Sequence, residues 1–244
     1  MASTALAGRS FSERLVDFLE IIECRPVDTA EEREAVFRLR YDAYVREGAI
    51  PIGFTKRFTD AYDDTPNAWI FGIYVDGVLA SSIRVHVASP QHPDAPCMMV
   101  FSDLLGPEIG RGHSIVDPTR FVADQTMARL HPELPYATVR LGFLASEYFR
   151  ADIGLATVRA EHQAFYKRLF GLKPLCEPRH YPSLMKPISL MAIHYPTVRE
   201  GIMARHPFLR STAQERAALF GRMPAVPGVP LVPQPTHFEQ VAAG

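Results

Sequence analysis

Residues 68–87 read AWIFGIYV, then Asp76-Gly77, then VLASSIRVHV. Two β-rich runs around an Asp-Gly pair predict an antiparallel hairpin, because both turn residues tolerate the positive φ that a two-residue hairpin turn demands. In the second run Ile83, Val85 and Val87 share one face, while Ser82, Arg84 and His86 share the other, since side chains alternate along a strand. Arg84 is therefore expected to point away from the apolar face.

Helical and strand patterns surround this hairpin. Phe11, Leu15, Phe18 and Leu19 recur at helical spacing behind Ser10, which predicts a helix over 10–20 followed by a strand over 21–26. Asp28 or Thr29 can cap a second helix that runs to about Arg46, with Glu31, Glu32 and Glu34 in its first turn. Residues 50–67 have no sustained period and read as a loop, and Phe101–Leu105 reads as a helical turn. Residues 114–123 read as a strand interrupted by Pro118, which implies an edge or a bulge at that point. Helices are expected over 137–149 and 161–170, strands over 155–160 and 189–194, and weaker helices near 197–205 and 212–221.

The chain has 244 residues, 47% of them hydrophobic and 22% charged, which fits one globular domain and excludes disordered or collagen-like classes. We expect the domain over 10–222, a disordered segment over 1–9 and a Pro-rich extended tail over 223–244. No apolar run approaches the ~20 residues of a membrane span. Three dispersed cysteines suggest neither a disulfide framework nor a zinc site, which fits a reducing cytoplasm and no metal. A net charge of −1 argues against a nucleic-acid partner. The phosphate-loop, dinucleotide, nucleophile-elbow and zincin motifs are missing from the sequence.

Several residues have patterns that bear on chemistry. Phe37, Arg40, Tyr41 and Tyr44 fall at i, i+3, i+4 and i+7, so Arg40 lies on an aromatic stripe facing inward. A guanidinium there needs a carboxylate, and the following loop offers Asp60, Asp63 and Asp64. The same placement also fits a structural salt bridge, or an arginine whose stem passes its neighbours to reach water. In SIVDPTRFVA, strict alternation puts Ile115, Asp117, Thr119 and Phe121 on one face and Val116, Arg120 and Val122 on the other. Apolar company would raise the pKa of Asp117 unless Arg84 or Arg120 opposes it, so a general base and an ion pair are both open. A bulge at Pro118 would free backbone N–H groups to meet a substrate carbonyl. Tyr166 is a polar tip on the apolar helix HQAFYKRLFGL and fits either packing or chemistry.

The strings VFRLRYDAYVREG, TDAYDDTPN, SSIRV and IVDPTRFVAD, in that order, resemble the acyl-homoserine-lactone synthase-like branch of the GNAT acyltransferase superfamily. Within it the chain is most similar to the long-chain N-acyl amino acid synthases of the FeeM type. The resemblance covers about residues 22–195 and implies an α/β (α+β), GNAT-like fold, a mixed central sheet flanked by helices. It implies an N-acyltransferase with no permanent cofactor, using acyl carrier protein or acyl-CoA as thioester donor and a primary amine, such as an amino acid, as acceptor. Matched position by position, it makes Asp117 the candidate base. Tyr166 lies on a helix that resembles the tyrosine-bearing helix of these enzymes and could protonate the leaving thiolate. Arg40, Asp60, Asp63 and Arg84 match the positions that would brace the acceptor pocket or bind its charged ends. Thr119, Arg120 and Phe121 fall within the family's E-x-S-R-F block, and Tyr44 on the helix stripe joins them as a candidate substrate contact.

Two departures narrow the expectation. Lactone synthases usually carry a Trp near REGAI, whereas Trp69 here lies in a strand, which weakens S-adenosylmethionine as acceptor. VADQTMARL is not the pyrophosphate loop of acetyl-CoA enzymes, so a long-chain donor is expected over acetyl-CoA. A lactone synthase and a non-catalytic acyl-binding module remain as alternatives.

Overall fold

The computed structural model describes residues 9–221. The segment expected before the domain lies outside the described residues, save Arg9, and so does the expected tail over 223–244.

Each local element has a visible cause. Ser10 and Glu13 form a reciprocal capping box that starts α1 (Phe11–Ile21). β1 (Ile22–Pro26) follows directly. Thr29 and Glu32 cap α2 (Ala30–Arg46) in the same way, so Thr29 rather than Asp28 is the cap. The hairpin is β2 (Ala68–Val75) and β3 (Val78–Ala88), with Asp76 at φ 49° and Gly77 at φ 77° in the turn. α3 (Met98–Gly110) is much longer than the helical turn expected at Phe101–Leu105. Its period was hidden by Pro107 and by a break at Phe101, where φ is −123°.

β4 (Ile115–Ala123) leads into the short α4 (Gln125–Leu130), which Asp124 caps and which has no pattern long enough to signal it in sequence. Then come α5 (Leu134–Tyr148), β5 (Ile153–Val158), α6 (Gln163–Phe170) and the two-residue β6 (Lys173–Pro174). Gly171, at φ 74°, ends α6 in the left-handed conformation. β7 (Ser189–His194), α7 (Tyr195–Arg205) and α8 (Ala213–Phe220) complete the described chain.

The seven strands form one sheet in the order β1-β2-β3-β4-β5-β7-β6. Only the β4/β5 pair is parallel, and it holds for just two residue pairs, Ile115 with Ile153 and Val116 with Gly154. Beyond Val116 the two strands part. One face of the sheet packs on α1, α5 and the C-terminal helices through Phe71, Ile83, Val85, Val116, Leu141 and Leu144. The other face meets α2 over β3 and β4, and α3 through Phe101, Leu105, Ile115 and Leu155.

β4 departs from the alternation expected of it. Ser82 pairs with Val122 and Arg84 with Thr119, so two residues, Arg120 and Phe121, stand opposite Ile83 alone. Arg120 takes φ 55°, the left-handed region, as a bulged residue can. The bulge therefore lies at Arg120–Phe121, whereas Pro118 pairs in register with Val85. Pro118 instead marks an edge, because it sits just past the last β4/β5 pair.

Pro118 also fixes how close α5 can come. A Cβ built on Gly142 would lie 2.7 Å from Pro118 Cγ, so only glycine lets the helix seat on β4 here. Gly142→Val is expected to destabilise the fold by ~1–3 kcal/mol through overpacking, read as a lower denaturant midpoint. An unchanged midpoint would mean that α5 can move off the strand without cost.

Candidate active site

The loop after α2 is organised by its own acids. Asp60 accepts from the Tyr62 N–H (3.0 Å) and Asp63 accepts from the Asp60 N–H (3.0 Å), a reciprocal cap on a single 3₁₀ turn, Ala61–Asp64. Their remaining oxygens meet three arginines. Arg40 on α2 donates to Asp63 (2.7 Å), and Arg84 on β3 donates to both Asp63 (2.8 Å) and Asp60 (2.6 Å). Arg120 on the β4 bulge donates to Asp60 through Nη2 (2.5 Å) and Nε (3.2 Å). Thr59 supplies a further bond to Asp63 (2.9 Å), and Thr119 accepts from Arg84 Nε (3.2 Å).

Arg40, Arg84 and Asp63 are buried, so the charges are desolvated and depend on one another. Burial alone would raise the Asp63 carboxyl, yet Arg40 and Arg84 hold it well below the usual carboxylate range. Asp60 is likewise lowered, by Arg84 and Arg120 against burial. Burial brings the Arg40 guanidinium down to about 10, with Asp63 opposing that shift, so it stays charged at neutral pH. Three guanidiniums face two carboxylates, which leaves the cluster one positive charge in excess.

Two cavities flank β4. The first encloses about 510 Å³ of empty space, part of it open to solvent, and is apolar. Ile83, Pro118, Phe121, Phe143 and Tyr166 are among its walls, and it runs past Ser146 and Gly154 to Tyr195. The second, of about 390 Å³, is lined by Tyr44, Arg84, Thr119 and Arg120 from the charge cluster's side, with Cys97, Thr157 and Tyr181 opposite.

The bulge corrects the expected faces of β4. Arg120 joins Thr119 on the polar cavity, and Phe121 turns to the apolar one. Arg120 is held by Asp60 and stacks over Phe58 at 4.4 Å and Tyr44 at 5.6 Å. Tyr166 lines the apolar cavity, and burial, with Tyr44 nearby, pushes its phenol well up, so it is protonated at neutral pH.

Asp117 pairs with neither Arg84 nor Arg120, because both are taken by the loop carboxylates. It is fully buried and accepts from the Cys97 N–H (3.0 Å) and the Thr157 hydroxyl (3.3 Å). Burial, then the nearby Asp117 carboxylate, pushes the Cys97 thiol far up. Burial raises the Asp117 pKa above its ordinary value despite these donors. Cys97 and Thr157 both line the polar cavity, so Asp117 lies directly behind its wall.

Of the residues singled out in sequence, Tyr44, Arg84, Thr119 and Arg120 meet at the polar cavity, and Phe121 and Tyr166 at the apolar one. Arg40, Asp60 and Asp63 line neither cavity and stand behind Arg84 and Arg120. Sequence reading missed Cys97, Thr157 and Tyr181. Thr157 could have been reached through alternation on β5, but nothing local marks Cys97 or Tyr181. Among the described residues no group of three His, Cys, Asp or Glu side chains is placed to hold a metal ion.

The solved structure of FeeM, an N-acyl amino acid synthase from uncultured soil microbes, has the same fold. It aligns at 21% identity and TM-score 0.62 over 73% of this chain and 93% of its own. An acyl-CoA N-acyltransferase from Pseudomonas aeruginosa aligns at 17% identity and TM-score 0.49, over 70% of this chain and 97% of its own. MesI, a CoA-dependent acyl-homoserine lactone synthase, aligns at 20% identity and TM-score 0.49, over 79% and 97%. No curated protein matches the chain. The GNAT-like sheet, parted between β4 and β5, belongs to an N-acyltransferase. The chain is a member of the N-acyl amino acid synthase FeeM family, whose model matches residues 35–194.

Arg40→Ala leaves Asp63 buried with one cation fewer and is expected to cost ~3–5 kcal/mol, whereas Arg46→Ala at the exposed helix end should cost under ~1 kcal/mol. Equal unfolding free energies would show that Arg84 alone satisfies Asp63. The acids also set a pH window. Their folded pKa values are depressed, so their stabilisation is present above the unfolded value of ~3.9 and is lost as pH falls through the folded value. Asp63→Asn should flatten that acid limb in a denaturation series against pH.

Proposed function

We propose that this enzyme moves a long-chain acyl group from an acyl carrier protein or CoA thioester to the amino group of an amino acid. The observation that carries this reading is the pair of cavities on opposite faces of β4, which approach each other where β4 and β5 part. The apolar cavity suits an acyl chain. The polar one offers Arg84, Arg120 and their excess positive charge to a carboxylate, with a buried acid behind it. Family membership supports N-acyl transfer as the reaction.

In the proposed mechanism the amine nitrogen attacks the thioester carbonyl, and its proton passes to Asp117, directly or through a water. Backbone N–H groups on the unpaired edge of β4 beyond Val116 face the forming oxyanion. The C–N bond forms, the C–S bond breaks, and the leaving thiolate takes a proton from Tyr166, which burial keeps protonated at neutral pH; the proton gained by Asp117 then returns to the Tyr166 phenolate through water. Arg40, Asp60 and Asp63 hold Arg84 and Arg120 in place and touch no substrate. Tyr44, Thr119 and Phe121 shape the two walls. A cytoplasmic setting accords with thioester donors and with Cys24, Cys97 and Cys176 as free thiols. The reaction needs no resident cofactor, and residues 10–222 act as one domain.

Product analysis tests this reading. Purified enzyme with C12–C16 acyl carrier or CoA thioesters and a pool of amino acids should yield N-acyl amino acids faster than it turns over acetyl-CoA. A lactone from S-adenosylmethionine, or no transfer at all, would overturn it. Asp117→Asn should keep the fold, since it removes a buried charge while an amide oxygen can still accept from the Cys97 N–H. Its rate should fall by ~10²–10⁴-fold at neutral pH. Because the Asp117 pKa is raised, the wild-type rate should drop on acidification at a pH above the ordinary carboxylate value. The deficit of the variant should shrink as pH rises and free amine becomes abundant. A deficit independent of pH would make Asp117 structural.

A further inference from the structure

The loop between α2 and the 3₁₀ turn carries the most exposed large apolar side chains of the described residues. Ile52 is 85% exposed and Phe54 107%, and Met185, from the segment before β7, is 65% exposed. The two segments form one edge, because Met185 N–H donates to the Ala49 carbonyl at 2.9 Å. The loop is held out rather than collapsed. The Tyr41 hydroxyl donates to the Gly53 carbonyl and accepts from the Gly53 N–H, both at 3.0 Å, and Ala49 N–H donates to the Tyr44 carbonyl at 2.8 Å. Lone exposed apolar residues need no explanation. A pinned turn that presents two of them, with a third on the adjoining segment, does.

Two lysines flank this tip, with Glu161, itself held by Arg159, also near Lys186. Lys56 and Lys186 are exposed and enter no ion pair among the described residues. Arg57 is paired with Glu34, and the acid closest in sequence before the tip, Glu47, is held by Arg159. A convex apolar tip beside unpaired lysines fits an interfacial bilayer anchor, where apolar side chains enter the acyl boundary and lysines meet anionic headgroups. We propose that this tip docks the enzyme on an anionic lipid surface.

The location gives the contact a use. Leu184, next to Met185, and Tyr44, bonded to Ala49, both line the polar cavity, so the tip hangs from that cavity's rim. An N-acyl amino acid is an amphiphile with a carboxylate head, and an enzyme seated on lipid hands such a product directly to the membrane. That use rests on the function proposed above, whereas the binding itself does not require it. No helix among the described residues is long and apolar enough to cross a membrane.

The test is co-sedimentation of the full chain with phosphatidylcholine vesicles, with and without phosphatidylglycerol. Wild type should pellet with the anionic vesicles and be released by salt. Ile52→Ser/Phe54→Ser, and separately Lys56→Glu/Lys186→Glu, should each weaken binding about tenfold or more. The apolar pair should leave the thermal midpoint and the lipid-free rate with a CoA thioester unchanged. Failure of wild type to bind, or binding that neither variant weakens, would overturn the proposal. So would two further results: an Ile52/Phe54 variant that slows transfer from acyl carrier protein without lipid, which makes the tip a carrier contact, or wild-type dimers that the variant abolishes. Since vesicle binding is read without turnover, failure of the acyl-transfer reading leaves its outcome intact.

Discussion

The buried chain of charges Arg40, Asp63, Arg84, Asp60 and Arg120 ties together three parts of the fold: α2, the loop after it, and strands β3 and β4. None of these side chains could be left alone in that environment, because an unpaired buried charge costs several kcal/mol (on the order of 3–5). The cluster therefore fixes the loop against the sheet and fixes Arg120 against the loop. His86 lies beside it on β3. Burial and then Arg84 bring its pKa down to about 3, so it is neutral and adds no further charge.

The bulge follows from the same constraint. For Arg120 to reach Asp60, its side chain must leave the face that strict alternation gives it, and the left-handed φ of 55° accomplishes that turn. A non-glycine residue in that region is strained, and the ion pair with Asp60 and the stacking on Phe58 hold it there. The turned arginine moves Phe121 to the opposite face, where it walls the apolar cavity. One backbone irregularity thus supplies a cation to one cavity and an aromatic ring to the other.

Much of this was legible in the sequence where the cause is local. The Asp76-Gly77 turn, the helix start at Ser10, the cap at Asp28 or Thr29 (in the event Thr29), and the inward stripe that carries Arg40 each depend on residues within a few positions, and each is found where expected. The D-x-x-D pair pointed to Arg40 because a buried guanidinium demands an acid. What escaped depends on distant residues. The bulge position is set by Asp60, sixty residues before Arg120, so Pro118 was the more visible sign, and of its two readings the edge holds while the bulge lies two residues on. Asp117 stayed open between a general base and an ion pair because sequence cannot show that both arginines are already engaged. The extent of α3 was masked by Pro107 and the break at Phe101.

The seating of α5 on β4 through Gly142 and Pro118 has a consequence for how the chain can change. One strand serves as a party wall between two chambers, and consecutive residues on it face different rooms: Pro118 and Phe121 one, Thr119 and Arg120 the other. A substitution that reshapes one chamber leaves the furnishings of the other in place, provided the wall itself does not shift, and the close contact at Gly142 is what keeps it from shifting. Selection can therefore retune the two chambers independently, one residue at a time, within a single nine-residue strand.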